Sequence, residues 1–386
     1  MRESGEWVPM EWPASWDAGK LEVLKSTPVN CLIGGPVAAA SAGFDKPDEG
    51  VVTRIEKCPW PGLAHAGGES AGPTGNPWID TNSWQVRLAR ARDDRKPVWV
   101  CCEKVESPNY ALAAADAACW GGRWVVKLDE ATAKGIAGGN AAALAAWKDL
   151  LAALRFFERQ RGWASMTPEA RLAIVSGFAD TNAQEVLNLA TRQHLAFRID
   201  DKGRAVAPFT GLEGVLYVDD DPPEKALLER MVEFARGGGL LMVPRPTGAL
   251  IGGLGPVAET QPRTAVHKFG KGRVAVPLKE WDDPFLLASD AHLLLSYRND
   301  AVRLFNAGLL IPYVTASVGR RLVQIVNYAG RESANFVSLA VRGEVRWAKL
   351  WTLESTEARA MEIHREAGRA ELHLPAFRNY AAIELG

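Results

Sequence analysis

The stretch from Phe209 to Pro244, FTGLEGVLYVDDDPPEKALLERMVEFARGGGLLMVP, decides the fold because it predicts one complete strand, helix and strand unit. Gly214 to Val218 is a short apolar run typical of a buried strand, and Leu240 to Val243 is a second one. Between them, apolar residues at helical spacing end at Gly237 to Gly239, which can take the left-handed conformation that follows a last helical turn. Such a unit predicts a right-handed crossover between strands of a parallel sheet.

The composition is typical of a folded, soluble protein. The chain has 386 residues, of which 47% are hydrophobic and 24% charged, with a formal net charge of −1. This length predicts two or three domains, and the near-neutral charge argues against nucleic acid as a partner. No apolar run reaches the roughly 18 residues that cross a membrane. We therefore expect a cytoplasmic protein, or a periplasmic or secreted one if a leader was removed before residue 1.

The pattern of elements along the chain predicts an α/β multidomain protein. Residues 1–165 alternate strands with helices, which favours a partial (β/α) barrel of about five units. Residues 166–262 carry the unit described above and predict a flavodoxin-like α/β domain. Residues 263–386 alternate with a period of two and predict a β-sandwich.

Tryptophan is concentrated in the first region, where it indicates a sugar-binding cleft. The chain has 14 tryptophans, and most of them precede residue 165. A broad apolar ring suits stacking on a sugar, although burial in the core is the commoner fate of tryptophan. A long loop rich in glycine and proline, Cys58 to Ser83, follows the third predicted strand, and loops of this length are often functional. The candidate substrate-binding residues are Trp12, Trp60, His65, Trp78, Asp80 and Asn82.

Carboxylates follow the ends of several predicted strands, which is where parallel barrels build their sites. Glycoside hydrolysis needs two carboxyl groups that flank the scissile bond. Each acid taken alone could also be a solvated turn residue or a helix cap. Glu11 and Glu103 are the favoured pair. The full candidate catalytic set is Glu11, Glu56, Glu103, Asp129 and Glu130.

Other chemistries have weaker support in the sequence. Gly68 to Gly72 match the GxSxG motif of serine hydrolases, but the strand before and the helix after that motif are missing, so Ser70 is a remote alternative. Five cysteines without a CxxC pair predict buried thiols rather than disulfides or zinc. Asp219 to Asp221 are expected to cap the following helix more readily than to bind a cation. We predict no metal and no cofactor.

The domain order resembles that of family 42 glycoside hydrolases, the β-galactosidase-like enzymes. The resemblance rests on the barrel-like first region, on LEGVLYVDDDPPEKALLERMVEFARGGGLLMVP in the middle, and on a C-terminal region ending in LHLPAFRNYAAIEL. It implies a glutamine amidotransferase-like middle domain that lacks the catalytic cysteine and mediates assembly, and this chain has no cysteine there. The family's barrel is more than twice as long, and its acid follows an asparagine. No Asn-Glu pair occurs in residues 1–165, so no catalytic residue is carried over.

Two functions remain open from the sequence. The first is a glycoside hydrolase that cleaves a small β-linked sugar with paired carboxylates by a retaining mechanism. The second is a noncatalytic sugar-binding or assembly protein whose barrel has degenerated. Under both hypotheses we expect a carbohydrate ligand. We also expect a homo-oligomer, because a partial barrel exposes strand edges that proteins usually cover.

Overall fold

The computed structural model describes residues 2–58, 61–63, 79–103, 105–297, 300–333, 336–366 and 368–386. It divides into two compact units, one formed by residues 1–167 together with 304–386 and the other by residues 168–303. This division differs from the predicted boundary at residue 262, because the two strands that follow that residue pair within the sheet of the second unit. Within the described residues, no helix combines the length and the apolar character needed to cross a bilayer.

The N-terminal part of the chain alternates strands with helices, as expected. Its strands are β1 (Pro9–Glu11), β2 (Cys31–Ile33), β3 (Thr53–Cys58), β4 (Gly62–Leu63), β5 (Ile79–Asp80), β6 (Val98–Cys102), β7 (Arg123–Trp124) and β8 (Thr167–Pro168). Its helices are α1 (Leu21–Leu24), α2 (Ala38–Ser41), α3 (Ser83–Arg92), α4 (Tyr110–Cys119), α5 (Glu130–Gly138) and α6 (Ala141–Arg159).

Parallel pairing brings the first and last of the main strands together. Strand β1 pairs with β2, whereas β3, β6 and β7 form a second parallel set in that order. A parallel bridge between Met10 and Val126, just beyond β7, joins the two sets. The order across the strands is therefore β2, β1, β7, β6, β3, and their carboxyl ends share one edge.

The two faces of these parallel strands are buried against different partners. Because side chains alternate along a strand, neighbouring residues point to opposite faces. Met10, Leu32 and Val126 belong to the large core that contains α4 and α6. The opposite face, which we call the inner face, carries a smaller apolar cluster. This inner cluster consists of Trp7, Cys31, Val52, Trp99, Cys101 and Val125.

The second unit contains one seven-stranded sheet. Its strands are β9 (Leu172–Ser176), β10 (Phe197–Asp201), β11 (Gly214–Tyr217), β12 (Leu240–Met242), β13 (Val257–Thr260), β14 (Thr264–Phe269) and β15 (Gly272–Pro277). Its helices are α7 (Thr181–Arg192), α8 (Lys225–Gly237), α9 (Arg245–Ala249) and α10 (Pro284–Leu295). The order is β10-β9-β11-β12-β15-β14-β13. The first five strands pair in parallel, whereas β14 pairs antiparallel with β15 and β13 pairs antiparallel with β14.

The strand, helix and strand unit predicted from the sequence is present, with one difference at the start of its helix. Strand β11, helix α8 and strand β12 follow one another, and Gly238 ends the helix with a φ of 131°. The helix begins at Lys225, without a side-chain cap. Asp219 instead accepts a hydrogen bond from the Gly177 backbone N–H at 2.9 Å and pairs with Lys202. It therefore links the ends of neighbouring strands rather than capping α8.

Glycine at position 272 allows α8 to approach β15 closely. A Cβ added there would lie 2.3 Å from the carbonyl oxygens of Ala235 and Gly239, which are backbone atoms that cannot rotate away. We expect Gly272→Ala to lower the free energy of unfolding by about 1–3 kcal/mol, the usual cost of overpacking. Gly237→Ala is the matched control, because nothing lies within 4 Å of its added Cβ. Urea unfolding of both variants measures this, and equal stabilities would contradict the close approach.

The C-terminal part forms two antiparallel sheets. Its strands are β16 (Val302–Phe305), β17 (Leu310–Ser317), β18 (Arg320–Asn327), β19 (Val337–Arg342), β20 (Ala348–Thr352), β21 (Arg359–Ala360), β22 (His364–Glu366), β23 (Arg369–Leu374) and β24 (Tyr380–Leu385). The orders are β16-β19-β23-β22 and β21-β20-β24-β18-β17-β8, so β8 forms the edge of the second sheet. Ile311, Leu322 and Tyr380 of the second sheet share the large core with α4 and α6, so these two parts of the chain fold as one unit.

Candidate functional site

The carboxyl edge of the parallel strands carries an ion pair between Glu11 and Lys127. Glu11 ends β1 and follows Met10, which packs in the large core, so its side chain projects from the inner face. Lys127 follows Val125 of the inner cluster by two residues and projects from the same face. Lys127 Nζ lies 3.1 Å from Glu11 Oε2; the Glu11 side chain is half-buried and that of Lys127 is exposed.

A second ion pair, between Arg54 and Glu56, lies on the same face. Val52 belongs to the inner cluster and Ile55 packs against the large core, so alternation directs Arg54 inward. Arg54 Nε donates to Glu56 Oε1 at 2.7 Å. This hydrogen bond raises the pKa of Arg54, and the charges of Cys101, Glu56 and Glu11 add to the effect while burial opposes it.

Glu103 shares this edge but lies in different surroundings. It follows the last residue of β6 and is two residues beyond Cys101 of the inner cluster. Its side chain is exposed. Within the described part of the chain it has no hydrogen bond and no ion pair, in contrast to Glu11 and Glu56.

Asp129 and Glu130 serve helix α5 instead of the inner face. Asp129 is the N-cap: it accepts hydrogen bonds at 2.8 Å from the backbone N–H and the hydroxyl of Thr132, and at 2.6 Å from the Tyr110 hydroxyl. Burial acts to raise the pKa of Asp129, but these hydrogen bonds outweigh it and lower the pKa below its ordinary value. Glu130 is exposed and pairs with Lys134 one turn along the helix. Both acids therefore have a structural explanation.

The candidate sugar-binding residues are only partly described. Trp12 is half-buried next to Glu11, and its indole N–H donates to the Trp16 carbonyl at 3.1 Å. Asp80 ends the short strand β5 and is also half-buried. Trp60, His65 and Trp78 lie outside the described residues. Of the predicted stacking walls, Trp12 alone can therefore be placed, and it lies at the carboxyl edge of β1.

Asn82 lies in the core instead of at a ligand site. It is 1% exposed, and its side-chain amide donates to Asp116 Oδ2 at 3.0 Å. Asp116, on α4, is fully buried and also accepts hydrogen bonds from the hydroxyls of Thr81 at 2.7 Å and Tyr328 at 2.6 Å, and from the Trp120 indole at 3.3 Å. This network joins α3, α4 and the end of β18. Burial raises the pKa of Asp116, while the hydrogen bonds from Tyr328, Thr81 and Asn82 oppose that effect.

Most of the N-terminal tryptophans build the core. Seven of them are at most 9% exposed: Trp7, Trp16, Trp99, Trp120, Trp124, Trp147 and Trp163. Trp7 and Trp99 meet edge to face with ring centroids 6.0 Å apart, inside the inner cluster. The excess of tryptophan in this region therefore reflects packing more than a cleft.

Sequence reasoning missed the two cations of the site because it searched strand ends only for acids. Arg54 and Lys127 each stand two residues from an inner-cluster residue, Val52 and Val125 respectively. An alternation test applied to all charged residues would have found them. In the described part of the chain, no group of three or more histidine, cysteine, aspartate or glutamate side chains is arranged to hold a metal ion.

No protein-family model matches the chain, and no curated protein matches its sequence. Its fold is nevertheless similar to solved glycoside hydrolases. α-L-Fucosidase isoenzyme 2 from Paenibacillus thiaminolyticus superposes with a TM-score of 0.56 at 9% identity, over 90% of this chain and 66% of that chain. A catalytic mutant of Gan42B, a GH42 β-galactosidase from G. stearothermophilus, gives 0.52 at 10% identity, over 79% and 56%. A rhamnosidase from Novosphingobium sp. PP1Y gives 0.50 at 11% identity, over 81% and 34%.

At these identities the likeness concerns the fold, which is glycoside hydrolase-like. The fucosidase and the rhamnosidase match alongside the β-galactosidase, so the comparison does not single out family 42. The chain also spans only about a third to two thirds of the length of these proteins.

Proposed function

We propose that this protein is a glycoside hydrolase-like enzyme that binds a small β-linked sugar at the carboxyl edge of the parallel strands. Glu11 and Glu103 are the proposed catalytic pair. The observation that carries the proposal is the contrast between them: Glu11 is held by Lys127, whereas Glu103 has no cationic partner among the described residues. Enzymes that use two carboxyl groups place them in different surroundings, so that one stays ionised while the other is protonated.

In this proposal each residue has a distinct role. Glu11 acts as the ionised carboxylate, either as a nucleophile on the sugar or as a base that activates water. Glu103 donates a proton to the leaving oxygen, once the bound sugar has displaced water from its carboxyl group and favoured the protonated form. Glu56 orients Arg54, and Trp12 lines the edge next to Glu11.

The finer architecture belongs to the same proposal. We infer that residues 1–167 form a partial (β/α) barrel, which the adjacency of β1 and the segment after β7 supports, since the first and last strands are neighbours in a closed barrel. The order of the parallel strands in the second unit, β10-β9-β11-β12-β15, matches the flavodoxin-like pattern. The two C-terminal antiparallel sheets support a β-sandwich.

A second candidate is a noncatalytic sugar-binding or assembly protein that forms a homo-oligomer through its strand edges. The observation that favours it is that residues 1–165 contain no Asn-Glu pair, the motif that carries the acid in the family 42 enzymes. Under this alternative the edge binds sugar without cleaving it. Glu103, which is exposed, would then contact solvent or ligand without transferring a proton.

The test is a panel of nitrophenyl glycosides run in parallel with calorimetry. We expect release of nitrophenol from at least one β-linked member of the panel, such as the β-galactoside, and saturable binding of the corresponding methyl glycoside. Release from the α-L-fucoside or the α-L-rhamnoside alone would contradict the proposed β linkage. Binding without release would select the noncatalytic candidate. Neither binding nor release, in protein shown to be folded by its thermal transition, would overturn both.

A further inference from the structure

We propose that Arg54 contacts the ligand and determines specificity by donating hydrogen bonds to two adjacent hydroxyl groups of the sugar. This inference deepens the proposed function and rests on it. It starts from the position of Arg54, which projects from the inner face of β3 above the apolar inner cluster. Its Cα partner on β6 is Trp99, which is completely buried, whereas the Arg54 side chain is 27% exposed.

Among the described residues, the guanidinium of Arg54 has a hydrogen-bond partner at one nitrogen, Nε, and none at the other two. Nε donates to Glu56 Oε1 at 2.7 Å, which sets the plane of the group. Neither Nη1 nor Nη2 donates to any residue that the structure describes. Guanidinium nitrogens form a rigid fork of donors, which suits two acceptors held at a fixed spacing. Because Glu56 holds Nε, the two Nη groups are already oriented and lose little conformational entropy when a ligand binds.

The charges around Arg54 indicate which ligand group the fork takes. Among the described inner-face residues at this edge, the two cations Arg54 and Lys127 each have a carboxylate partner, Glu56 and Glu11 respectively. The two ion pairs therefore leave no excess positive charge to attract an anion. A carboxylate or sulfate on the sugar would meet the carboxylates of Glu11 and Glu56 as well as the two cations. Neighbouring hydroxyls carry no charge and still supply two acceptors, so they fit this fork better.

The experiment compares wild type with Arg54→Met and Arg54→Lys by calorimetry. The probes are the methyl glycoside that binds best, its two singly deoxygenated analogues at adjacent ring positions, and the corresponding uronide. We expect Arg54→Met to weaken binding of the parent glycoside by about 10–100-fold, the effect of charge-assisted hydrogen bonds. Arg54→Lys keeps the charge but not the fork, so it should recover less than half of this loss on a logarithmic scale.

The deoxy analogues provide the readout that a merely structural role would not change. Removing either hydroxyl should cost the wild type about tenfold or more and should cost Arg54→Met less than threefold. Arg95→Met is the matched control, because Arg95 is exposed and pairs with Asp93 on the loop after α3. It should bind every probe as wild type does, and all variants should share one thermal transition.

Three outcomes would overturn the inference while leaving the proposed function in place. The first is that Arg54→Met binds the parent glycoside as tightly as wild type does. The second is that the deoxy analogues lose equal affinity in both proteins. The third is that the uronide binds more tightly than the neutral glycoside. If the wild type binds none of the glycosides, the proposed function itself is wrong, and the assignment of Arg54 is wrong with it.

Discussion

Glu11→Gln should reduce kcat on the best nitrophenyl glycoside by about 100–10,000-fold, because it removes the ionised carboxylate while preserving its shape. The variant should remain folded, because Lys127 is exposed and its charge stays hydrated when its partner is lost. Binding of the methyl glycoside should stay within about tenfold of wild type, since an amide still forms hydrogen bonds with hydroxyl groups. Steady-state kinetics and calorimetry on the same preparation measure the two effects.

The matched control for this variant is Glu130→Gln. Glu130 is another strand-end glutamate in sequence terms, but it is exposed on α5 and pairs with Lys134. It should keep the wild-type kcat and the wild-type affinity. If Glu11→Gln retained full turnover, Glu11 could not be the nucleophile or base, and the catalytic pair would have to be sought elsewhere at this edge.

Asp116→Ala should lower the free energy of unfolding by about 3–5 kcal/mol, because it leaves several buried donors without an acceptor at a cost of about 1–3 kcal/mol each. The substitution would leave the hydroxyls of Thr81 and Tyr328, the Asn82 amide and the Trp120 indole without their acceptor in a site that water does not reach. Each buried donor left unpaired adds to the cost. Urea unfolding followed by tryptophan fluorescence measures it.

Two further variants separate the network from the general effect of losing an aspartate. Asp94→Ala removes an exposed carboxylate from the loop after α3 and should change stability by less than about 0.5 kcal/mol. Tyr328→Phe removes only the hydroxyl that reaches Asp116 Oδ1 at 2.6 Å and should cost about 1–3 kcal/mol. If Asp116→Ala were as stable as Asp94→Ala, the network would not hold this unit together.

The sequence could predict more of the proposed catalytic site than of the buried network. Glu11 and Glu103 were found because strands predicted from apolar runs end just before them, and strand ends are where parallel folds place their sites. Asp129 and Glu130 satisfied the same rule, yet they serve helix α5, which the sequence analysis did not predict. The alanine and glycine content of EATAKGIAG gives that helix little apolar periodicity, so the cap could not be recognised in advance.

Local sequence determined the elements whose signals lie within a few residues of one another. The unit from β11 to β12 follows from two apolar runs and a glycine stop. Alternation along β1, β3 and β6 likewise decides which residues share the inner face. These are properties of the backbone period, which any short segment expresses by itself.

Only the tertiary structure decided which of these residues meet. Lys127 is 116 positions from Glu11, and Tyr328 is more than 200 positions from Asp116, so no local pattern could pair them. The same holds for β15, whose alternating sequence suits either a sandwich or a mixed sheet and which joins the second unit by pairing with β12. Long-range pairing depends on how whole elements pack, and packing is a property of the complete fold rather than of any one stretch.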